Sequence, residues 1–264
     1  MKGIICYYSG SGNTKLAVEF LSRQISSIEF DLFDIVKNKI PNFTKYDIAG
    51  FAAFTDFGGP SQIFYDFCNN IELQENKPAF VFNTFGLLSG GTLKKLKSLT
   101  KSKGFKVISG YSLHTPESYP PMRKKDMTFD DAPNQKEFDK FNEYITLLNK
   151  QIQEIKAGNS PTLESIKIGI FGYLMPSFSR KKAKKDFGIQ NIKEDICIAC
   201  GICQKACPYI AIEMAPKPIF NHEKCQGCWA CYNHCPEKAI YTPKFKGEHQ
   251  YPKPSSQLVE RLKI

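Results

Sequence analysis

The sequence predicts an α/β protein in two parts: a doubly wound, five-stranded parallel sheet, then a small, cysteine-rich α+β domain. Three observations lead to this prediction. At 264 residues the chain is longer than a typical single domain of about 150 residues. Short apolar runs alternate with helical patterns through residues 1–158. Eight of the ten cysteines then fall within residues 197–235, which marks that region as a separate unit.

Five short apolar runs predict the strands of the sheet. In chain order they are Ile4–Tyr8, Phe30–Ile35, Ile48–Phe54, Ala79–Asn83 and Phe105–Ser109. Apolar residues at helical spacing predict the intervening helices, which are Asn13–Ile25, a helix around Ile63–Phe67, Leu93–Leu99 and Phe138–Ile155. Strands that alternate with helices form a parallel sheet covered on both faces. Ligands of such sheets lie at the carboxyl ends of the strands, so the loops there are candidates for a site.

Composition and charge narrow the class of protein. Hydrophobic residues make up 42% and charged residues 23%, as in a globular chain rather than a disordered one. No run approaches about 18 apolar residues, and the N-terminus has no cleavage site. We therefore expect a cytoplasmic protein with no integral membrane segment. The net charge of +10 is densest around residues 180–185 instead of being spread over the chain, so no nucleic-acid partner is expected.

The loop after the first predicted strand is short, polar and glycine-rich, and it opens a helix. It comprises Ser9, Gly10, Ser11, Gly12, Asn13 and Thr14. Backbone N–H groups, hydroxyls and a helix N-terminus together suit a phosphate. The spacing is not that of a Walker loop, and Lys15 stands where a dinucleotide fingerprint has its third glycine. The loop therefore favours a mononucleotide phosphate, with a plain tight turn as the alternative.

Two later loops follow the third and fourth predicted strands and offer glycines for close backbone approach. The first contains Thr55, Asp56, Phe57, Gly58 and Gly59, and the second contains Thr84, Phe85, Gly86, Leu87, Gly90 and Gly91. Each includes a phenylalanine that could stack on a ring system. Residues 114–121 form a further long loop, and long ordered loops are often functional. Tyr119 is a candidate to reach the same ring, with a proline-stiffened surface turn as the alternative.

The cysteine block repeats one motif, Cys-x-x-Cys-x-x-Cys-x-x-x-Cys-Pro, twice. The runs are Cys197, Cys200, Cys203 and Cys207, then Cys225, Cys228, Cys231 and Cys235. This is the bacterial iron–sulfur spacing, in which the fourth cysteine of each run ligates the other cluster. It predicts two [4Fe–4S] clusters, one held by Cys197, Cys200, Cys203 and Cys235, and the other by Cys225, Cys228, Cys231 and Cys207. A zinc site would use two Cys-x-x-Cys pairs around a single metal ion. Two cysteine triplets, each followed by a Cys-Pro, are not typical of zinc.

Other residues near or outside the motif receive structural roles. Pro208 and Pro236 are expected in the first turn of a helix. The apolar residues at matching positions of the two halves, Ala211 with Ala239 and Ile212 with Ile240, are expected to pack over the clusters. Gly201 and Gly227 are expected to turn backbone N–H groups toward sulfur. The two nearby histidines, His222 and His234, are expected to be exposed or capping residues. The two isolated cysteines, Cys6 and Cys68, are expected to be buried.

Residues 187–245 resemble the two-cluster bacterial ferredoxins, and the three loops of residues 1–158 resemble those of flavodoxins. The whole chain is similar to the flavodoxin–ferredoxin fusion proteins of anaerobes. This resemblance implies FMN, with its phosphate held by Ser9, Ser11, Gly12, Asn13 and Thr14 and its ring by Thr55–Gly59 and Thr84–Gly91. It implies a linker at 159–186 and a tail at 246–264. The apolar and basic linker is interpreted as a strap between the domains, with a membrane-surface anchor as the alternative.

The combination predicts an electron-transfer protein that relays electrons between the clusters and FMN. Its partners would be redox proteins, such as a ferredoxin or a reductase-dependent enzyme. The alternative is an FMN-dependent reductase of a small molecule, supplied with electrons by its own ferredoxin domain. No catalytic acid or base stands out, and no glycine fingerprint for a nicotinamide dinucleotide follows a strand.

Overall fold

The computed structural model describes residues 1–36, 38–163 and 180–263. The N-terminal part consists of β1 (Lys2–Tyr7), α1 (Asn13–Gln24), β2 (Glu29–Asp34), β3 (Ile48–Phe54), α2 (Gln62–Asn69), β4 (Pro78–Phe85), α3 (Thr92–Ser102), β5 (Lys106–His114), α4 (Pro120–Arg123) and α5 (Gln135–Lys156). The C-terminal part consists of α6 (Arg180–Phe187), β6 (Asn191–Ile192), α7 (Ile202–Ala206), β7 (Ile212–Met214), β8 (Pro218–Phe220), α8 (Ala230–His234), β9 (Ile240–Tyr241) and α9 (Ser256–Arg261).

The five long strands form one parallel sheet in the order β2-β1-β3-β4-β5. This is the flavodoxin-like strand order, whose ligand crevice lies where the order reverses, between β1 and β3. The predicted doubly wound fold is therefore confirmed. The fifth strand runs five residues beyond the predicted end at Ser109, because residues 110–114 continue to pair with β4 up to His114.

Side chains on the two faces of the sheet build two separate cores, as the period-2 alternation of a strand requires. Ile5 and Tyr7 of β1 pack with α1 and α5 on one face, and Ile4 and Cys6 pack with α2 and α3 on the other. Cys6 and Cys68 are both buried in the second core, as predicted. Burial raises the pKa of the Cys68 thiol to about 12, so it stays protonated at neutral pH.

The small domain contains two antiparallel pairs of short strands, β6–β9 and β7–β8, and two one-turn helices. The internal repeat extends to the backbone, since three positions with positive φ around the first cysteine run have counterparts around the second. The pairs are Ala199 with Gly227, Gly201 with Trp229, and Ile210 with Lys238. The predicted α+β ferredoxin-like domain is confirmed.

The prediction for Pro208 and Pro236 is wrong. The helices α7 and α8 precede Cys207 and Cys235, which occupy the C-cap positions, and the prolines begin turns. Proline is common just after a helix end because it cannot continue the helix. The apolar residues at matching positions of the repeat are buried as predicted: Ala211, Ile212, Ala239 and Ile240 are each no more than 4% exposed. Ile210, whose counterpart in the other half is Lys238, is 81% exposed.

The C-terminal tail returns to the first domain. Leu258 of α9 and Leu262, directly after it, are buried in the core between the sheet and helices α1 and α5. A side chain at Gly12 would meet Pro254, with a Cβ placed 2.8 Å from the proline Cδ. The tail therefore crosses from the cysteine-rich domain to the sheet domain and packs against both.

Residues 164–179 lie outside the described residues, and with them the apolar half of the predicted linker. In the described ranges, no helix combines the length and apolar character needed to cross a membrane.

Candidate functional site

A cavity of about 370 Å³ lies at the carboxyl ends of β1, β3 and β4. Its volume is within the ordinary range of ligand pockets, about 300–1,000 Å³. Eleven of the predicted cofactor-binding residues line it: Gly10, Ser11, Thr55, Asp56, Phe57, Gly58, Gly86, Leu87, Gly90, Gly91 and Tyr119. The seven other predicted residues do not line it: Ser9, Gly12, Asn13, Thr14, Gly59, Thr84 and Phe85. The three predicted loops therefore do converge on one cavity.

The first loop is held by its own serine. The Ser9 Oγ accepts hydrogen bonds from the backbone N–H groups of Gly12 and Lys15, both at 3.1 Å. Helix α1 begins directly after Gly12, whose φ of +99° is costly for residues other than glycine. The first N–H groups of α1, including those of Asn13 and Thr14, have no acceptor within the helix. This end of α1 is suited to an anionic group such as a phosphate.

The side chains of Asn13 and Thr14 bind protein groups instead of facing the cavity. The hydroxyls of Thr14 and Thr84 are 2.8 Å apart and buried, and they join α1 to the end of β4. The Asn13 amide donates to the Pro116 carbonyl at 2.9 Å, and its oxygen accepts from the Tyr251 hydroxyl at 2.9 Å. These side chains fix the loop in place, so a phosphate there would meet mainly backbone N–H groups.

The loop after β3 forms a tight turn closed by reciprocal backbone hydrogen bonds. Asp56 donates to Gly59 at 2.7 Å, and Gly59 donates back at 3.2 Å. Phe57 and Gly58 both have positive φ, of 51° and 78°. A Cβ added to Gly90 would lie 2.8 Å from the Cα of Gly58, so the two later loops approach each other backbone to backbone. This is the close approach that the glycines predicted.

Of the two candidate stacking rings, Phe57 lies in the cavity wall and Phe85 does not. The Phe57 ring meets Tyr119 edge to face, with centroids 5.5 Å apart. Phe85 instead stacks on His114 at 5.1 Å, with the rings 12° from parallel. Of the predicted ring contacts, Phe57 and Tyr119 therefore line the cavity, as do two aromatic residues that the sequence did not single out, Tyr8 and Phe54.

The cysteine-rich domain forms part of the cavity wall, which the sequence did not indicate. Cys228, Ala230, Asn233 and Arg180 all line it, opposite the loops of the sheet. The Asn233 amide donates to the Ser118 carbonyl at 2.9 Å. Trp229, the single tryptophan, is buried beside Cys228 and meets Tyr119 edge to face at 5.9 Å. Its position after a motif cysteine was the only signal that could have drawn attention to it.

The eight motif cysteines surround two small cavities. One is lined by Cys197, Cys200, Cys203 and Cys235, and the other by Cys207, Cys225, Cys228 and Cys231. These are the two crossed sets that the spacing predicts. In the described ranges, no three His, Cys, Asp or Glu side chains are grouped tightly enough for a single metal ion. The cysteines instead stand around a space, an arrangement suited to a multinuclear cluster.

Backbone N–H groups point at cysteine sulfurs in both halves. Within the tight loops, Ala199 donates to Cys197 and Gly227 donates to Cys225, each at 3.4 Å. Such bonds are among the factors that set the potential of iron–sulfur clusters. The prediction for Gly227 is confirmed, whereas in the first half Ala199, not Gly201, provides the donor. Ala211 and Ala239 repeat the pattern toward Cys207 and Cys235, at 3.3 and 3.2 Å.

Neither nearby histidine lines a cysteine cavity. His222 is exposed and stacks on Phe220. His234 is half-buried, and its Nε2 lies 3.2 Å from the Gly10 carbonyl, so it joins α8 to the first loop. The exposed position predicted for His222 is confirmed, whereas His234 is neither exposed nor a helix cap.

Residues 189–236 match the family model described as a 4Fe-4S dicluster domain. The chain joins a flavodoxin-like domain to a 4Fe-4S dicluster domain. A ferredoxin from Pyrobaculum islandicum is 47% identical over 51 residues, which are 19% of this chain and 48% of the ferredoxin. The polyferredoxin protein MvhB of Methanothermobacter marburgensis is 44% identical over 48 residues, or 18% of this chain and 11% of that protein. The chain thus spans half or less of these curated relatives.

The sheet domain is similar in structure to oxidised flavodoxin 1 from Bacillus cereus. The match has a TM-score of 0.42 and 19% identity, and it covers 55% of this chain and 95% of the flavodoxin. The fold itself is defined by the strand order and the parallel register. The match to the 4Fe-4S dicluster family supports electron transfer as the general function of residues 189–236.

Proposed function

We propose that this chain is an electron-transfer protein that holds FMN in the sheet-domain cavity and two [4Fe–4S] clusters in the cysteine cavities. Electrons would pass between the clusters and FMN, and on to or from a redox partner protein. The observation that carries this proposal is the position of Cys228. It lines both the cavity at the strand ends and one of the two cysteine cavities.

The residues present fit both kinds of cofactor. For FMN, the N-terminus of α1 offers free N–H groups to a phosphate, and Phe57 and Tyr119 offer aromatic surface to the ring. For the clusters, eight thiols surround two spaces and backbone N–H groups point at four of the sulfurs. FMN would supply one- or two-electron chemistry, and each cluster would supply one-electron chemistry.

The chain's own part is to hold these sites together and to exclude water between them. Tyr119 touches Phe57 on the cavity side and Trp229 on the cysteine side. These packed aromatic rings fill the boundary between the two domains, which we call the seam. Burial raises the pKa of the Tyr119 hydroxyl, so it remains protonated and uncharged in that seam. Because both domains are in one chain, transfer does not depend on a collision between two proteins.

The experiment is anaerobic reconstitution followed by separate additions of NADPH, NADH and a reduced low-potential ferredoxin. Flavin and iron contents are measured first, and the flavin absorbance is then followed after each addition. We expect both cofactors to be retained and the flavin to bleach only with the ferredoxin. Rapid bleaching by a nicotinamide would favour the alternative function, an FMN-dependent reductase. Failure to retain flavin would overturn the assignment of the first domain.

The same reconstitution tests the cluster sites one at a time. Cys200→Ser changes one cysteine set and Cys228→Ser changes the other, so each should alter a different cluster signal in electron paramagnetic resonance. The Cys228→Ser protein should in addition show a changed flavin absorbance, because Cys228 lines the flavin cavity and Cys200 does not. Equal effects of the two variants on flavin absorbance would contradict a special position for Cys228.

A further inference from the structure

Arg180 occupies the seam between the two domains and bonds to both. Its Nε donates to the Asp56 Oδ2 at 2.9 Å, and its Nη2 lies 2.5 Å from the Asp56 Oδ1. Its third nitrogen, Nη1, donates to the Gly227 carbonyl at 2.6 Å. Asp56 is in the turn after β3, and Gly227 immediately precedes Cys228. One guanidinium therefore joins the turn at the proposed flavin cavity to the loop that holds a cysteine set.

The ion pair is sheltered from water. The Asp56 side chain is 5% exposed and the Arg180 side chain 20%. The guanidinium also lies over the Phe57 ring, 5.2 Å from its centre. Burial raises the pKa of the Asp56 carboxyl, and the attraction of Arg180 opposes that rise. Burial by itself lowers the pKa of Arg180, but the attraction of Asp56 and Cys228 and the hydrogen bond to Asp56 together raise it by more, so Arg180 keeps its proton.

The Arg180 charge lies beside only one of the two cysteine sets, the one that contains Cys228. Arg180 binds the carbonyl of Gly227, the residue before Cys228, and both Arg180 and Cys228 line the large cavity. The same helix, α6, is tied again to this loop by Lys184, whose Nζ donates to the Cys225 carbonyl at 2.6 Å. The residues around the other cysteine set include neither Arg180 nor any other residue of the large cavity.

We propose that Arg180 is a positioning residue that fixes the flavin-side turn against the Cys228 loop and biases the potential of the cluster held there. The inference rests on the proposed function and adds to it the order in which the two cluster sites lie relative to the flavin. The Cys207, Cys225, Cys228 and Cys231 site is the inner one, next to the flavin. The Cys197, Cys200, Cys203 and Cys235 site is the outer one, where Cys200 and Ile198 are exposed to an external redox protein.

The sign of the effect follows from charge. A positive group near a cluster favours the added electron, so Arg180→Gln should make the potential of the inner cluster more negative. Removing the negative partner in Asp56→Asn should make the same potential less negative. Arg180→Lys keeps the charge but not the planar fork of donors, so it should leave the potential nearly unchanged while weakening flavin binding.

The test is an anaerobic redox titration of the reconstituted full chain, followed by electron paramagnetic resonance. For Arg180→Gln we expect an approximately tenfold change in the oxidised-to-reduced ratio of one cluster, which is about 59 mV for a one-electron couple. The other cluster, identified by the signal that Cys200→Ser alters, should not shift. Lys185→Gln is the matched control, because Lys185 is an exposed cation on the same helix. It should shift neither cluster.

The outcomes separate the inference from the function beneath it. Equal shifts of both clusters, no shift in either, or shifts of the same sign in Arg180→Gln and Asp56→Asn would overturn the role of Arg180 while leaving the function intact. Absence of flavin or iron from the unaltered protein would instead overturn the proposed function, and this inference with it. A shift of opposite sign in the two variants, confined to the inner cluster, supports the proposal.

Discussion

Tyr251 offers a test of how the tail stabilises the first loop. Its hydroxyl donates to the Asn13 Oδ1 at 2.9 Å and accepts from the Ser255 N–H at 2.9 Å. Tyr251 and Asn13 are each only 4% exposed, so water cannot replace the missing partner. Tyr251→Phe removes one oxygen and leaves a buried acceptor and a donor unpaired.

The expected cost is about 1–3 kcal/mol, the usual penalty for leaving a buried polar group unsatisfied. For a chain of this size each kcal/mol lowers the midpoint of thermal unfolding by roughly 2–4 °C. Since Asn13 begins helix α1, flavin binding should also weaken. The measurements are thermal unfolding followed by circular dichroism and fluorescence titration with FMN.

Tyr241→Phe is the matched control. The Tyr241 hydroxyl makes no hydrogen bond within the described part of the chain, so its removal should change the unfolding midpoint little. If the two variants unfold at the same temperature and bind FMN equally, the tail does not stabilise the loop through this hydroxyl.

Three further predictions concern packing and pH. Leu258→Ala should cost about 2–5 kcal/mol in denaturant unfolding, because Leu258 is fully buried, whereas Val259→Ala, at a position 38% exposed, should cost far less. Gly90→Ala should weaken FMN binding more than Gly158→Ala: both have positive φ, but only the Cβ at Gly90 meets another loop's backbone, at 2.8 Å. Burial raises the pKa of the Cys68 thiol from 9.0 to about 12, so its contribution to stability is present below pH 9 and is lost as pH rises toward 12. Cys68→Ala should flatten that alkaline decline, and an unchanged slope would contradict the assignment.

Local spacing carried most of the predictions that the structure confirms. The five strands follow from apolar runs, because a strand buried on both faces needs apolar residues at consecutive positions. The cysteine sets follow from the doubled motif, since a tight loop brings residues three apart to one side. The ends of strands were predicted less accurately than their centres. Strand β5 continues to His114 because its last residues pair with β4, although they do not form an apolar run.

Contacts between distant segments could not be read from local patterns. Phe57 and Phe85 occupy similar loops, yet only Phe57 faces the cavity, because His114 at the end of β5 stacks on Phe85. Asp56 and Arg180 are 124 residues apart, and the sequence analysis assigned Arg180 to the linker, not to the cavity. The six-residue helix α9 is too short for its apolar pattern to show that it packs in the sheet domain.

The sequence by itself determined the strand and helix order, the crossed cysteine sets and the positions of the three loops. Each depends on residues close together in the chain, whose spacing fixes which side chains share a face or a turn. Only the tertiary structure decided that Cys228, Tyr119 and Arg180 meet at one seam. Their contact depends on how the two domains and the C-terminal tail bury apolar surface against each other. Such burial brings together residues that are far apart in the chain, so no local sequence pattern predicts it.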